Sequence, residues 1–373
     1  MATKYELLID GRSRWKARSE DEVRVWLREY CEEHAADDPD AAHVQIRRLS
    51  PWAWLTGGKL VERGTFLLVL GLAVAFATPA QAALKPGDHA AIAVSVATLW
   101  KSPNVYRSID RPAVTNPVDL PAWNRNLATG ELRRGLVSKV QTQALYGELV
   151  TVLRVSGRWA KVAVRDQPDP QDPRGYPGWL PVWQLRKGYD PTGSGLSVHV
   201  RTAVVDLARS RKVAVSYGTW LPIEGATPDG KAWLVRTPHG EGTIPKTAFG
   251  GPVHLSGAVV VQEAKRFLGI RYLWGGLSAW GFDCSGLVWD IFRTFGRTIP
   301  RDADPQFRSG TPVARDALRP GDLVFYGTQR YVHHVAIYAG NGQMLEAPNS
   351  DSMVRLVPFR TTEYAGARRY TQG

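Results

Sequence analysis

Asp283-Cys284-Ser285-Gly286-Leu287 contains the start of a helix pattern from which the fold of the C-terminal part of the chain can be predicted. Apolar residues then recur at the three- and four-residue spacing of one helix face, at Leu287, Val288, Ile291, Phe292 and Phe295. The sequence therefore predicts an amphipathic helix over residues 284–295, with Asp283 as its N-cap. A thiol on the first turn lies near the positive end of the helix dipole, so we expect a lowered pKa for Cys284 and a reactive thiolate.

Cys284 is a candidate nucleophile, although a lone cysteine is more often a small buried apolar residue. Residues 331–338 supply two histidines about fifty positions further on, and a single cysteine with a downstream histidine is typical of a cysteine nucleophile. Before the cysteine, glycines that allow close approach to a ligand alternate with aromatic residues of the kind that line concave sites: Tyr272, Trp274, Gly275, Gly276, Trp280 and Gly281.

Four sequence blocks together resemble the NlpC-type cell-wall peptidases, a papain-like family that hydrolyses peptidoglycan stem peptides. The blocks are YLWGG at residues 272–276, FDCSGL at 282–287, RPGDLVF at 319–325 and HVAIYAGNG at 334–342. They follow the order of the family across residues about 258–370. The resemblance implies an α+β domain in which helices pack on an antiparallel sheet, and a cysteine peptidase that needs no metal or organic cofactor.

The same resemblance implies that Cys284 is the nucleophile and that His334 is the general base. His333 and His334 are adjacent on a predicted strand, so their side chains point to opposite faces and only one can face the thiol. The histidine directly before Val-Ala-Ile-Tyr matches the family, which makes His334 the choice and leaves His333 without a role in the chemistry. The base also needs a partner that fixes its tautomer.

Twelve residues after His334 the family usually places His, Asn or Gln, but this chain has Glu346. A carboxylate can accept a hydrogen bond from the imidazole N–H and stabilise imidazolium, so we expect Glu346 to orient His334. Two alternatives stay open, namely that Asn349 orients the base and that Glu346 is an ordinary carboxylate at a strand end.

Substrate contacts are also implied by the resemblance. Tyr272 is similar to a family tyrosine whose hydroxyl lies near the oxyanion position, while its alternative role is packing beside the Gly-Gly turn. Asp283 and Ser285 are expected to help hold the free α-amine of the substrate, although Asp283 also suits a plain N-cap. Trp274 is expected in the site as one of the interleaved aromatic residues. Tyr146 resembles an aromatic residue of an attached domain that lines the substrate site, or it packs within that domain.

Two regions before residue 258 resemble bacterial SH3-like barrels, so the predicted fold is α+β with two small all-β domains ahead of the peptidase domain. Residues 88–187 combine an apolar strand, a Gly-x-Trp hairpin at 157–159 and GWLP at 178–181. A shorter copy of this pattern covers residues 195–249. Residues about 107–138 are predicted to be an insertion in the first barrel, with a helical stretch near 121–137 that contains Trp123.

Residues 65–77 form one uninterrupted apolar run, preceded by Lys59 and Arg63 and followed by Ala-Gln-Ala at 80–82. This pattern over residues 59–82 is typical of a signal peptide and is short for a membrane span. Residues 1–58 nevertheless resemble ordinary protein, with strands predicted near 5–9 and 43–49 and a helix near 20–34. Either translation starts downstream, at position 60 or 61, or residues 1–58 are cytoplasmic and the apolar run is a signal-anchor. Both alternatives predict export.

The net charge of +12 lies essentially in the residues after position 82, which suits a surface of anionic wall polymers. No nucleic-acid-binding motif accompanies it. We therefore predict an exported cysteine endopeptidase that cleaves the γ-D-glutamyl–diamino acid bond of peptidoglycan peptides with a free N-terminal L-Ala. An amidase or acyl transferase on the same fold and a non-catalytic wall-binding module are the alternatives.

Overall fold

The computed structural model describes residues 83–251 and 254–371 with their side chains, and the backbone of three strands closer to the N-terminus. The chain divides into two compact units, Met1–Phe76 and Ala77–Gly373. In the first unit, β1 (Tyr5–Ile9), β2 (Arg12–Ala17) and β3 (Val44–Arg48) form an antiparallel sheet in the order β2-β1-β3. β1 and β3 match the two predicted strands. The predicted helix near 20–34 and the apolar run 65–77 lie outside the described residues.

A seven-stranded antiparallel sheet opens the second unit, with the order β10-β4-β7-β8-β9-β5-β6. Its strands are β4 (His89–Ile92), β5 (Val96–Trp100), β6 (Val140–Leu145), β7 (Leu149–Ser156), β8 (Trp159–Val164), β9 (Tyr176–Pro181) and β10 (Leu185–Arg186). The predicted Gly-x-Trp hairpin joins β7 to β8, and Gly157 has a φ of 54°, which favours glycine at this turn. The assignment of this sheet to the SH3-like class stays a prediction.

The segment between β5 and β6 holds a 3₁₀ helix (Ser108–Ala113) and two short α-helices, α1 (Leu120–Asn126) and α2 (Gly130–Arg134). The single predicted helical stretch is thus divided, because Thr129 begins a new helix by accepting a hydrogen bond from Leu132 N–H. Trp123 is buried and donates from Nε1 to Asp110 Oδ1 over 2.9 Å. Asn124 donates to the carbonyl of Trp280 over 2.7 Å, so the segment is tied to the C-terminal part.

A second, six-stranded antiparallel sheet follows in the order β11-β14-β15-β16-β12-β13. Its strands are β11 (Gly195–Ser197), β12 (Thr202–Leu207), β13 (Lys212–Ser216), β14 (Trp220–Ala226), β15 (Ala232–Thr237) and β16 (Gly240–Pro245). Alternate residues such as Val213, Val215 and Val205 are buried in its core. The strands fall within the range predicted for the second barrel, and its SH3-like class likewise stays a prediction.

The C-terminal part has the expected α+β content, with helices packed on a six-stranded antiparallel sheet in the order β19-β24-β20-β21-β22-β23. The helices are α3 (Gly257–Lys265), α4 (Cys284–Thr294) and α5 (Ala303–Arg308). The strands are β17 (Leu277–Ser278) and β18 (Gly281–Phe282), which form a small ribbon, and β19 (Thr311–Val313), β20 (Leu323–Gly327), β21 (Val332–Gly340), β22 (Gln343–Glu346), β23 (Arg355–Pro358) and β24 (Tyr364–Arg369).

Helix α4 matches the predicted helix to within one residue and packs on β21. Leu287, Val288, Ile291 and Phe292 are buried, as the spacing required, in a core that the C-terminal sheet shares with Trp100 and Val140 of the first sheet. Burial of such side chains contributes about 1.5–3 kcal/mol each. Among the residues that the structure describes, no helix has the length and apolar character needed to cross a membrane.

Candidate active site

The thiol of Cys284 lies on the first turn of α4, and a tight backbone turn holds that position. Asp283 caps the helix by accepting Gly286 N–H at Oδ1 over 2.6 Å, and its own N–H donates to the Gly276 carbonyl over 3.0 Å. A Cβ on Gly286 would come within 2.1 Å of that carbonyl oxygen, so only glycine fits there. The start of α4 is therefore fixed against the Gly-Gly turn that precedes it.

Strand β21 brings His334 to the start of α4. The backbone N–H of Val335, the next residue, faces the Cys284 sulfur, as does the N–H of Ser285. His334 is buried and its Nε2 lies 2.9 Å from Oε2 of Glu346, on the adjacent strand β22. Because the carboxylate accepts from Nε2–H, the tautomer leaves Nδ1 as the basic nitrogen.

Glu346 is in contact with two arginines as well as with His334. Its Oε1 accepts from Arg355 over 2.8 Å, and its Oε2 accepts from Arg360 over 2.9 Å. Burial raises the pKa of the Glu346 carboxyl, but the hydrogen bonds from His334, Arg360 and Arg355 outweigh it and lower the pKa to about 2. Asn349, the alternative orienter, instead accepts from Asp351 N–H within its own turn.

The expectation of a lowered thiol pKa is wrong for this structure. Burial raises the pKa of the Cys284 thiol to about 12, and the Asp283 carboxylate adds to the increase, while the N–H groups of Val335 and Ser285 oppose it. The pKa of His334 is also lowered, because burial, Arg360 and His333 together outweigh the contribution of Glu346 that raises it. Both shifts favour a neutral thiol and a neutral imidazole in the resting pair.

Arg301 is a residue of the site that the sequence did not reveal. Its guanidinium is fully buried and donates to Asp283 Oδ2 over 2.8 Å, to Ser285 Oγ over 3.0 Å and to Thr142 Oγ1, on β6, over 3.0 Å. The Asp283 carboxylate therefore carries an N-cap bond and a buried ion pair together. Arg301 follows a proline, and no local sequence pattern there predicts that its side chain is buried. The burial results from the approach of β6 to α4.

The thiol opens into a cleft of about 720 Å³ between the first sheet and the C-terminal part. Five of the predicted site residues line it: Tyr272, Trp274, Asp283, Cys284 and Ser285. Trp274 is held in place because its Nε1 donates to the Val140 carbonyl over 3.0 Å. The remaining walls carry further polar side chains, among them Asp169, Tyr176, Asp302, Asp304, Arg308, Tyr331 and His333.

His333 and His334 do point to opposite sides of β21, with His333 exposed to the cleft and His334 buried beside Glu346. Tyr146 is not among the residues that line the cleft. Its ring is buried against the second sheet and stacks on His239, and its hydroxyl lies 2.8 Å from His239 Nδ1. These contacts agree with the alternative role for Tyr146, which is packing.

Comparison with known proteins adds to this geometry. The family model described as NlpC/P60 family matches residues 269–369. The γ-D-glutamyl-L-lysine dipeptidyl-peptidase of Bacillus cereus is 39% identical over 329 residues, which is 82% of this chain and 97% of the relative. The protein of the same name from Bacillus subtilis is 34% identical over 280 residues, 72% of this chain and 93% of its own.

Among solved structures, that of an NlpC/P60 family protein from Bacillus cereus is similar with a TM-score of 0.72. It is 37% identical, and the likeness covers 76% of this chain and 100% of the solved chain. The similarity therefore extends over the regions before residue 258 as well as over the C-terminal part.

Proposed function

Because the chain belongs to the NlpC/P60 family, a family of cysteine peptidases, we propose that it hydrolyses the γ-D-glutamyl–diamino acid bond of peptidoglycan peptides with Cys284 as nucleophile. The observation that carries the proposal is the contact of His334 with Glu346, directly beside the backbone that faces the Cys284 sulfur. The names of the two Bacillus relatives support the choice of bond.

The geometry supports general-base catalysis from a neutral resting pair. Since the pKa of Cys284 is about 12, its proton passes to His334 Nδ1 as the sulfur attacks the amide carbonyl. Backbone N–H groups at the start of α4, including that of Cys284, stabilise the oxyanion, with the Tyr272 hydroxyl nearby. The imidazolium then protonates the leaving amine of the diamino acid, and water hydrolyses the thioester.

The cleft walls support selection of a peptide with a free N-terminus. Asp283 and Ser285 line the cleft beside the thiol, and two further carboxylates are added by Asp169, between β8 and β9, and Asp302, at the start of α5. Arg301 already occupies both oxygens of Asp283, so the α-amine would share that carboxylate with the guanidinium instead of having it alone. The first sheet closes this end, which would exclude a stem peptide still attached to its glycan.

Export to the cell wall, through a cleaved or retained segment at residues 59–82, is part of the same proposal. Its support is the apolar pattern of that segment and the basic excess after it, which suits anionic wall polymers. Assignment of residues 88–187 and 195–249 as SH3-like barrels rests on their sequence pattern together with the two antiparallel sheets found there.

The test is mass spectrometry of the products formed by the full chain from L-Ala-γ-D-Glu-L-Lys, with the N-acetylated tripeptide as a second substrate and Cys284→Ala as the control. We expect L-Ala-D-Glu and free lysine from the first substrate alone. Cleavage of both substrates would keep the peptidase and remove selection for the free amine. Absence of Cys284-dependent cleavage would reject the peptidase and favour an amidase, a transferase or a binding role.

A further inference from the structure

The centre formed by Glu346, Arg355 and Arg360 is unusual for the partner of a catalytic base. The carboxylate is fully buried, while the side chains of Arg355 and Arg360 are 48% and 38% exposed. Two guanidinium groups and one imidazole thus share the two oxygens of one anion. Without the arginines, the whole charge of the carboxylate would act on His334, and a buried anion beside an imidazole favours the imidazolium.

Each arginine is held in place by the fold. Arg355 lies directly opposite Glu346 in the register of β22 and β23, so it reaches Oε1 as a cross-strand pair with both Nε and Nη2. Arg360 follows β23, and its guanidinium stacks 3.9 Å above the ring of Tyr326. That ring lies 5.8 Å from the His334 ring, with Tyr326 opposite His334 in the register of β20 and β21.

We propose that Arg355 and Arg360 are positioning residues that hold the Glu346 carboxylate ionised against His334 Nε2 and balance its charge, so that His334 stays a neutral base. This inference rests on the proposed function only in taking His334 as the base of the reaction. According to this proposal, residues of β22, β23 and the segment after β23 control the pH at which the enzyme becomes active, rather than residues of the cleft.

The charged and titratable groups around His334 in the described part of the chain enter the balance. They are Cys284 from α4, Tyr326 from β20, His333 on the same strand, Glu346 from β22, Arg355 from β23 and Arg360 after it. Burial lowers the pKa of His334 most, Glu346 raises it, and Arg360 and then His333 lower it further. The neutral form of His334 is therefore already favoured at rest, and Arg360 contributes to that state directly.

The test is the pH dependence of kcat/KM for Arg355→Gln and Arg360→Gln. A neutral base gains activity as His334 loses its proton, so the acid limb of the profile reports the pKa of His334. We expect each variant to move that limb upward by about half a pH unit, since partly exposed pairs contribute modestly. At the pH where the wild type is half-maximal, kcat/KM then falls about twofold for each variant. Arg360→Lys keeps the charge and should leave the limb in place.

Repeating the substitutions in a Glu346→Gln background separates charge balance from packing. With no carboxylate to balance, the arginines oppose the imidazolium that forms in the reaction, so Arg360→Gln should now raise kcat/KM on the plateau above the acid limb, where His334 is neutral in every variant. A role in packing alone would lower activity in both backgrounds, and that result overturns the proposal. Arg369→Gln is the matched control, because Arg369 pairs with buried Asp322 over 2.7 Å at a distance from the site. It should lower the melting temperature and leave the limb unmoved.

Titration of the His334 ring by NMR in the Cys284→Ala protein decides the same point without activity. The pKa of His334 should rise in the Arg360→Gln and Arg355→Gln proteins and stay unchanged in Arg369→Gln. If Cys284→Ala abolishes cleavage but neither the limb nor this pKa moves, the arginine proposal fails and the proposed function stands. If cleavage survives Cys284→Ala, the proposed function fails, and the NMR titration still tests the arginines.

Discussion

Two ion-pair centres flank the thiol, and they differ in how the charge of a buried carboxylate is compensated. At the start of α4, Asp283 meets one arginine, Arg301, whose side chain is completely buried. At the other side, Glu346 meets two arginines whose side chains reach solvent. In the first centre Asp283 has one cationic partner, so loss of Arg301 leaves the carboxylate uncompensated, whereas Arg301 also lies 3.8 Å from the Asp302 carboxylate. The second spreads one anion over several donors, so it can lose a donor and still function.

We therefore expect the Asp283 centre to contribute mainly to the stability of the fold and the Glu346 centre mainly to the acid–base behaviour of His334. Arg301 joins α4 to β6 through Asp283, Ser285 and Thr142, and therefore links the C-terminal part to the first sheet. The side chain of Glu346, in contrast, is hydrogen-bonded to His334, Arg355 and Arg360, which all lie in the C-terminal sheet and its connections.

The largest expected effect is that of Arg301→Met. Asp283 would remain buried beside the thiol without its cation, which costs about 3–5 kcal/mol in the free energy of unfolding. Urea denaturation followed by fluorescence measures it. Arg308→Met is the matched control, because Arg308 pairs with Asp304 near solvent and such pairs contribute about 0–1 kcal/mol. If both variants lose the same free energy of unfolding, water in the cleft solvates Asp283. The Asp283 and Glu346 centres would then not differ in how strongly each depends on its arginines.

A smaller effect is expected from Glu346→Gln, and it depends on pH. The folded pKa of Glu346 is about 2, below its ordinary value of 4.5, so the carboxylate stabilises the fold above pH 4.5 and loses this contribution as the pH falls towards 2. After discounting for the exposed arginines, the wild type should exceed the variant by about 1–2 kcal/mol at pH 6.

Denaturation of both proteins between pH 6 and pH 2 measures that difference. The two stability curves should converge on the acid side, because the protonated carboxyl and the amide are then similar in charge. A constant gap down to pH 2 would mean that the Glu346 centre contributes through packing rather than through charge.

The smallest expected effect is that of Thr142→Val, which keeps the shape of the side chain but removes the hydrogen bond from Arg301 Nε and the one that Thr142 donates to Gln167 Oε1. We expect a loss of about 1 kcal/mol or slightly more, since the guanidinium is charged and keeps its bonds to Asp283. Thr151→Val, at a residue that lies on the same sheet away from the site, is the control for the loss of a threonine hydroxyl. If Thr142→Val lowers the free energy of unfolding as much as Arg301→Met does, the contact with β6, rather than the ion pair, stabilises the Asp283 centre.

Much of the fold could be predicted from local sequence patterns. The three- and four-residue spacing after Cys284 depends only on neighbours along the chain, and α4 begins and ends within one residue of the prediction. The separate faces of His333 and His334 followed in the same way from strand alternation. The division of the helical stretch near residues 121–137 was missed, because Thr129 is a local cap signal that a search for apolar spacing alone does not weigh.

The roles that depend on distant partners were less predictable. Tyr146 lies in the turn after β6 and packs in the core of the second sheet, and its contact with His239 spans 93 positions. The pKa of Cys284 depends on how much protein surrounds the sulfur, which the spacing of helix residues does not report. For that reason the predicted direction was wrong: backbone N–H groups lower the pKa of Cys284, but burial raises it more.

The amino-acid sequence alone was enough to propose Cys284, His334 and Glu346 as the residues of the chemistry, since they occupy recognisable positions in short motifs and on regular elements. The electrostatic state of those residues depends on the tertiary structure. Arg301, Arg355 and Arg360 reach their carboxylates through sheet register and the approach of separate segments. Charge interactions depend on distance and burial in space, and a linear pattern contains neither.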